Sequence, residues 1–372
     1  QSNENHITAP TSAQIDSVIE ATTVAKEHAE KFGALVVQDE GGRMKPLHTF
    51  TSELLRKLSG KDKFRGLDSD QVFLSMMLNR VAWYHTEFIV TNLGTEQNDS
   101  IREILKVKPY LKEATSTTTP NKFQKDFIKL HERFGLLEMA LSGQILKIFP
   151  LLNDENNKWI SAVEFRAGQY QVQDSLYANF MANALPFYLN TLQSSITTGD
   201  YSQADKLLEA FKQNQKNHGS EVLPPDDKIK AEIIYNKLDI FNRLYKYYML
   251  LGASLFFVLV FRIFKEREIW KTATYFFKGI IVILFVWHTA GLILRWYISG
   301  HAPWSDAYES ILYVGWATMG IGLLFIKKSD FTLAASTFVA SMLLWIANWS
   351  WVDPAIGNLV PVLDSYWLMI HV

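Results

Sequence analysis

The sequence contains no cysteine among its 372 residues. A chain without thiols forms no disulfide bond, no zinc–thiolate site and no cysteine nucleophile, so these classes are excluded. It also lacks a nucleophile elbow, a phosphate-binding glycine loop, a dinucleotide-binding fingerprint and an HExxH zinc motif. Charge of one sign is missing too, because 37 Lys and Arg residues balance 38 Asp and Glu residues. This balance, without a basic patch, gives no reason to expect a nucleic acid as partner.

What is present is a division into a polar part and an apolar part. Residues 1–245 are polar and helical in pattern, whereas four segments after residue 246 approach the roughly 20 apolar residues that cross a bilayer. We therefore predict a mainly α protein, with a mostly helical domain over residues 1–245 and a multi-span membrane domain over 246–372. The predicted spans are Tyr247–Phe264, Tyr275–Ile298, Ala307–Ile326 and Phe331–Trp351.

The two ends of the sequence predict a piece of a longer polypeptide. It begins with Gln1 rather than Met, and its last residues, SYWLMIHV, are typical of the first turns of a fifth span. Within the chain, Pro224–Asp227 are expected to cap a helix that runs unbroken from the polar domain into the first span.

The connections between the spans differ in charge, and this predicts their orientation. Basic residues lie between the first two spans and again at Lys327 and Lys328, whereas Ser299–Ser305 carry none. By the positive-inside rule, the basic connections are cytoplasmic, and residues 1–245 lie in the periplasm of a bacterium. Aromatic residues of the kind that anchor a membrane interface gather at the predicted outer side: Trp296, Tyr297, Trp304, Trp349 and Trp351.

The hinge loop, residues 299–305, joins the second and third spans and is followed by Tyr308 and Glu309. Ionisable groups gathered at a membrane edge are expensive to bury and often mark the handling of a ligand. Trp304, Tyr308 and Glu309 are candidates for a surface that binds a flat, partly apolar ligand with acidic groups. The plainer interpretation of Glu309 is that it is the third helical residue after an Asp306 cap.

Two basic side chains beside the hinge loop are further candidates. Arg295 is expected to reach the outer surface and to pair with a ligand carboxylate, which a guanidinium binds bidentately. His301 is expected to ligate a metal through one nitrogen while a backbone group holds the other, or simply to face water in a polar loop.

Two more histidines lie in the apolar segments. His288 is well inside the second span, where an ionisable group is either functional or hydrogen-bonded to a neighbouring helix. His371 follows Asp353, Pro354 and Pro361, which put the start of its segment on the outer side. An imidazole in this apolar setting is a candidate axial ligand of haem iron. The other histidines have no metal-ligand spacing and are interpreted as surface or core residues: His6, His28, His48, His85, His131 and His218.

These segments resemble the CcsA/CcsB family of cytochrome c biogenesis proteins, in particular its fused (system II) members. The resemblance is carried by WHTAGLILRWY at 287–297, SGHAPWS at 299–305, YES at 308–310, and SYWL with IHV at 365–372. Upstream, QD at 38–39 and GRMKPL at 42–47 are similar to the periplasmic region of the fused members.

The resemblance implies a component of a holocytochrome c synthetase. Such proteins carry haem b across the bacterial plasma membrane and present it to an apocytochrome, whose CxxCH motif supplies the thiols. His371 would be one axial ligand, and tryptophans such as Trp304 and Trp367 would wall off the ring. The family's tryptophan-rich WWD segment would follow His371, so we expect the present sequence alone to be inactive; other maturation subunits are expected partners.

Two alternatives stay open at this stage. A membrane receptor with a periplasmic sensor domain would need a cytoplasmic output domain. A redox subunit that binds haem b or quinone would place paired histidines at two depths, whereas His288 alone is clearly intramembrane.

Overall fold

The computed structural model describes residues 11–90, 98–99, 118–119, 121–265, 267–349 and 352–358. It is mainly helical, as predicted. The chain forms two compact units, Gln1–Pro225 and Asp226–Val372. The predicted domain boundary at residues 245 and 246 follows composition rather than contacts, and it stays a prediction.

In its described residues, the first unit consists of helices and three short antiparallel strand pairs. Among the described residues its helices are α1 (Ser12–Ala21), α2 (Lys26–Gly33), α3 (Leu47–Ser59), α4 (Ser69–Leu78), α5 (Arg80–His85), α6 (Lys122–Ser142), α7 (Ala162–Arg166), α8 (Ser175–Thr198) and α9 (Ser202–His218). The strands pair as β1 (Val36–Gln38) with β2 (Met44–Pro46), β3 (Ile89–Val90) with β4 (Asn98–Asp99), and β5 (Phe149–Pro150) with β6 (Trp159–Ile160).

Local sequence signals explain where these helices begin and end. The Asp68 carboxylate accepts a hydrogen bond from the Gln71 backbone, and the Gln71 side chain accepts one from the Asp68 backbone. This reciprocal cap satisfies two backbone donors at the start of α4. At the other end, α8 stops at Gly199, whose φ of 77° is a left-handed conformation that glycine adopts without strain. The helices enclose one apolar core of aliphatic and aromatic side chains.

The second unit contains five helices in its described part. They are α10 (Asp226–Leu238), α11 (Ile240–Phe264), α12 (Glu268–Ser299), α13 (Ala307–Leu324) and α14 (Asp330–Ala347). The prediction of an unbroken helix from Pro224–Asp227 into the first span is wrong at Asp239, which has a φ of 45°. Aspartate tolerates this left-handed conformation better than most residues, and here its carboxylate also accepts a hydrogen bond from Asn242.

Three helical stretches of the described chain are long and apolar enough to cross a membrane: Asp226–Phe264, Glu268–Ser299 and Asp330–Ala347. The four-span arrangement is therefore not confirmed. The third predicted span does form a helix, α13, but its 18 residues are not apolar enough to be counted with the others. Glu309 and several glycines and weakly apolar aromatics lower its average. The predicted fifth span lies outside the described residues.

Close helix packing holds α11 against α14. At Gly252 of α11, an added Cβ atom would lie 3.0 Å from the Phe338 backbone nitrogen and 3.4 Å from the Ala334 carbonyl oxygen of α14. Small residues allow such backbone contact between helices in a membrane. In contrast, an added Cβ atom at Gly279 of α12 would meet nothing within 4 Å.

Candidate functional site

His288 lies in the interior of the second unit, between α11, α12 and α13. It is completely buried. Its Nδ1 atom is 3.5 Å from the hydroxyl of Tyr248, and the Phe241 ring packs edge-on against it at a centroid distance of 5.6 Å. Gly315 leaves room on the α13 side, because an added Cβ atom there would lie 3.8 Å from the imidazole Cε1.

The second ring nitrogen of His288, Nε2, points to a different part of its surroundings than Nδ1. The Leu312 backbone of α13 forms a further hydrogen-bond contact with the ring, whereas Nε2 has no partner of good hydrogen-bond geometry among the described residues. A buried polar atom without a partner is uncommon and calls for an explanation. The contacts with Tyr248 of α11 and Leu312 of α13 agree with the alternative in which His288 hydrogen-bonds a neighbouring helix, and its functional role stays a prediction.

Arg295 lies about two helical turns after His288 on α12 and is fully buried. The prediction that its side chain reaches the surface is therefore wrong. Its Nε donates to the Glu309 carboxylate at 2.7 Å. Its Nη1 donates to the Tyr235 hydroxyl at 3.3 Å and to the Pro354 carbonyl at 3.0 Å. Its Nη2 donates to the Ala355 carbonyl at 3.2 Å. The guanidinium is thus occupied by protein groups, and pairing with a ligand carboxylate stays a prediction.

Glu309 is both part of a helix start and the partner of Arg295. Asp306 caps α13 by accepting a hydrogen bond from the Glu309 backbone at 2.7 Å, which confirms the capping interpretation. The Glu309 side chain does not return to the Asp306 backbone. One oxygen bonds Arg295, and the other accepts from the backbone and hydroxyl of Ser305, at 2.9 and 2.6 Å. The carboxylate therefore links the hinge loop to α12.

His301 has the arrangement that the sequence analysis proposed for a metal ligand. Its Nδ1 lies 3.2 Å from the Ala302 carbonyl oxygen. Since a carbonyl oxygen only accepts, Nδ1 carries the proton in the neutral ring, and Nε2 keeps its lone pair. This Nε2 is buried and has no hydrogen-bond partner among the described residues. A backbone-held imidazole with a free second nitrogen is the usual state of a metal-binding histidine.

The aromatic candidates near the hinge loop differ in exposure. Trp304 is 41% exposed and packs edge-on against Tyr313. Tyr308 is buried, and its ring faces the Arg295 guanidinium at 5.0 Å. Tyr308 thus belongs to the interior of the unit, whereas Trp304 offers an apolar surface.

His371 and Trp367 lie outside the described residues, so their predicted roles stay predictions. Within the described part of the chain, no group of three or more His, Asp or Glu side chains is arranged to hold a metal ion. His288 and His301 therefore stand as single imidazoles and not as parts of a metal-ligand cluster.

Sequence reasoning missed several groups that complete this site. Tyr235 and Tyr248 were overlooked. A polar aromatic in the apolar helix α11 is a readable signal for Tyr248, whereas Tyr235 lies in the charged helix α10 and gives no such signal. Ser305 bonds Glu309 and was also missed. The role of the Pro354 and Ala355 carbonyls as acceptors could not be predicted from the sequence, because every residue has a carbonyl group.

The first unit contains a buried histidine of a different kind. His28 Nδ1 lies 2.7 Å from the Asp205 carboxylate, and its Nε2 lies 2.8 Å from the Tyr188 hydroxyl. Burial lowers the pKa of His28 below its usual value of 6.5, although the hydrogen bond with Asp205 acts in the opposite direction. Both ring nitrogens have partners, which agrees with the interpretation of His28 as a core residue.

Comparison with known proteins gives relatives for most of the chain. No family model matches it. Protein NrfI of Wolinella succinogenes is 34% identical over 376 residues, which cover 94% of this chain and 40% of that protein. The cytochrome c biogenesis protein CcsA of Prochlorococcus marinus is 27% identical over 150 residues, 39% of this chain and 46% of that protein. CcsA of Cycas taitungensis is 39% identical over 100 residues, 26% of this chain and 31% of that protein.

These similarities support the cytochrome c biogenesis family. Because the match with NrfI covers 94% of the chain, it extends over both compact units. The chain spans less than half the length of each of these relatives. The similarity supports the family in general and does not specify its fused form.

Proposed function

We propose that this chain acts in cytochrome c maturation by carrying haem across the membrane and presenting it for attachment to an apocytochrome c. Haem is the cargo here, and the thiols of the CxxCH motif come from the apocytochrome. The similarity to CcsA proteins supports the process. In this proposal the chain is part of a holocytochrome c synthetase of the fused type.

The structural observation that carries the proposal is the pair of unpartnered imidazole nitrogens, Nε2 of His288 and Nε2 of His301. Porphyrin already supplies four nitrogens to its iron, so a protein needs to add only one or two axial ligands. Single imidazoles meet this need, and His288 also lies between the rings of Phe241 and Tyr248. A free metal ion would need a cluster of ligands.

The proposed roles differ along the chain. His371 is an axial ligand at the outer face, with Trp367 and the exposed Trp304 against the porphyrin. His301 and His288 are candidate ligands at the hinge loop and inside the bundle. Tyr308, Arg295 and Glu309 border this region, but the contacts of Arg295 and Glu309 are with each other, with the backbone and with the hydroxyls of Tyr235 and Ser305.

The proposed setting is the plasma membrane of a bacterium, with residues 1–245 and the hinge loop on the periplasmic side. The apolar helices and the exposed aromatics Trp296, Tyr297 and Trp304 support a lipid surround with an interface at this end. The third span would be α13, whose buried Glu309 would be tolerated because Arg295 neutralises it. Apocytochrome c and other maturation subunits are the proposed protein partners.

A redox subunit that binds haem b or quinone is the second candidate function. The observation that favours it is the depth of His288, which lies in the middle of a helix long enough to span a membrane. Its neighbour Tyr248 also carries a hydroxyl group, which can donate a hydrogen bond to a quinone carbonyl.

The test is the haem spectrum of the purified full polypeptide. We expect haem to copurify, and His371→Ala to change its axial ligation, with recovery when imidazole is added to the buffer. The variants His301→Ala and His288→Ala are compared with His131→Ala, which removes an exposed histidine of the first unit. The same cells are assayed for covalently attached cytochrome c haem.

The outcomes separate the two candidate functions. A protein that purifies colourless from haem-replete cells, or cells without it that still mature cytochrome c, would falsify the maturation proposal. If His288→Ala alone removes the haem while cytochrome c maturation continues, the redox subunit is the better description. If His371→Ala leaves ligation unchanged, the role of that residue is wrong.

A further inference from the structure

We infer that Arg295 is a positioning residue, which fastens residues 352–358 to the hinge-loop end of the second unit. We call residues 352–358 the return segment, because they follow α14 back across this end. The inference deepens the proposed function and rests on it where haem is concerned. Its physical core, a guanidinium that binds backbone instead of a ligand, stands on the contacts of the described residues alone.

The return segment is held by one charged group and two apolar side chains. Nη1 and Nη2 of Arg295 donate to the carbonyls of two consecutive residues, Pro354 and Ala355, at 3.0 and 3.2 Å. Val352 and Ile356, one on each side, are each only 6% exposed. A short stretch without helix or strand therefore has its polar groups met by Arg295 and its apolar side chains buried in the unit.

The residue type suits this task. A guanidinium is flat and presents several donors in a fixed fork, so it reaches two carbonyls and a carboxylate at the same time. The ammonium group of a lysine is a compact point charge and does not reproduce the fork. Glu309 fixes the plane through Nε at 2.7 Å and supplies the negative charge that a buried guanidinium needs.

The consequence concerns the chain that follows the return segment, which leads in sequence to His371. If His371 presents haem, loss of the anchor frees residues 352–358, which precede this histidine in the sequence, without touching the haem itself. Arg295 would then affect axial ligation through position and not through contact.

Cysteine labelling tests the anchor directly, because the 372 residues of this sequence contain no cysteine. The full polypeptide without the reporter gives the background rate, which is subtracted. The reporter is Ile356→Cys in the full polypeptide, which is slow to label while the segment is docked. We expect Arg295→Lys to raise the labelling rate about tenfold, the effect of losing roughly one charge-assisted hydrogen bond. An unchanged rate would overturn the inference.

A second variant guards against general unfolding. Replacing both partners, Arg295→Met with Glu309→Leu, removes the donors but leaves no unpaired charge, and such apolar exchanges are often tolerated. It should also label fast at Ile356→Cys. The matched control is Arg262→Gln, which breaks another arginine–carboxylate pair of the unit, with Asp330, and should leave the reporter slow. Fast labelling in this control would show loosening of the whole unit and overturn the specific role.

Haem ligation provides the second readout. If Arg295→Lys labels fast and also shifts the axial-ligand spectrum, with recovery on adding imidazole, the positioning role is supported. If it labels fast while the spectrum is unchanged, the anchor exists but does not position the haem ligand, and that part of the inference is overturned. A natural protein without haem instead overturns the proposed function and leaves the labelling result intact.

Discussion

Removing the carboxylate of Glu309 should be one of the most damaging single changes in the second unit. The Arg295 and Glu309 side chains are 0% and 1% exposed, and their charged atoms are 2.7 Å apart. The nearest other carboxylate, Asp306, lies 3.9 Å from the guanidinium and is 41% exposed. Glu309→Ala therefore leaves a buried positive charge with almost no compensation, which costs about 3–5 kcal/mol in the free energy of unfolding.

The structure offers two comparisons for this number. Arg262→Ala removes a pair whose members are 34% and 23% exposed, and Asp330 keeps Lys278 as a partner. A pair that is partly exposed to its surroundings contributes about 1 kcal/mol or less. The double change Arg295→Met with Glu309→Leu should recover most of the loss, because neither charge remains.

The assay uses Ser341→Cys as a reporter in α14, a conservative replacement of a completely buried residue. The purified protein is titrated with dodecyl sulfate in mild detergent micelles, and the labelled fraction after a short pulse gives the free energy of opening. The reasoning fails if Glu309→Ala costs no more than Arg262→Ala. It fails equally if the double variant is as unstable as the single one.

Two further predictions concern packing and pH. Gly252→Leu should destabilise the second unit by about 1–3 kcal/mol or more, because the new side chain has to push two touching backbones apart. Gly279→Leu meets open space, so the free energy of opening measured with the Ser341→Cys reporter should change little. The pKa of His28 is lowered by burial, so its contribution to stability is complete above pH 6.5 and is lost as pH falls from there towards the lower native pKa. The free energy of opening at a buried Ser195→Cys reporter, corrected for the pH dependence of the thiol reaction itself, should therefore fall between pH 7 and pH 5 by at most about 1.4 kcal/mol per pH unit for one proton. The fall should be smaller in His28→Gln, and a pH profile unchanged by that variant contradicts the assignment.

The helical character of the chain and the polar-to-apolar division could be predicted from the sequence, because both follow from local pattern. The cap at Asp306 was readable for the same reason: an aspartate three residues before a glutamate at the start of an apolar run satisfies backbone donors within one turn. The break at Asp239 was not readable. Its left-handed backbone conformation does not change the spacing of apolar residues, so the periodicity of the sequence gives no sign of it.

The candidate site was predictable in its members and not in its connections. Arg295, Glu309 and Tyr308 were singled out from composition, yet the expected exposed guanidinium is buried against the backbone of the return segment. Carbonyl acceptors belong to every residue, so sequence does not indicate which two an arginine will bind. For His301 the sequence left two options, a backbone-held imidazole and a side chain that faces water, and the direction in which the hinge loop turns the ring decides between them.

The touching backbones at Gly252 also restrict how the second unit changes shape. With no side chain between them, α11 and α14 have little freedom to slide or roll past each other without a steric clash, so they behave as one stiff rod. Helix α13 also packs closely on α14, since an added Cβ atom at Gly322 would lie 2.5 Å from the Cβ atom of Ser336, so a gap that admits a planar ligand would have to form between α12 and α13. These are the two helices that bring His288 and Gly315 face to face, and a gap between them would expose the imidazole edge-first while the rod stays in place.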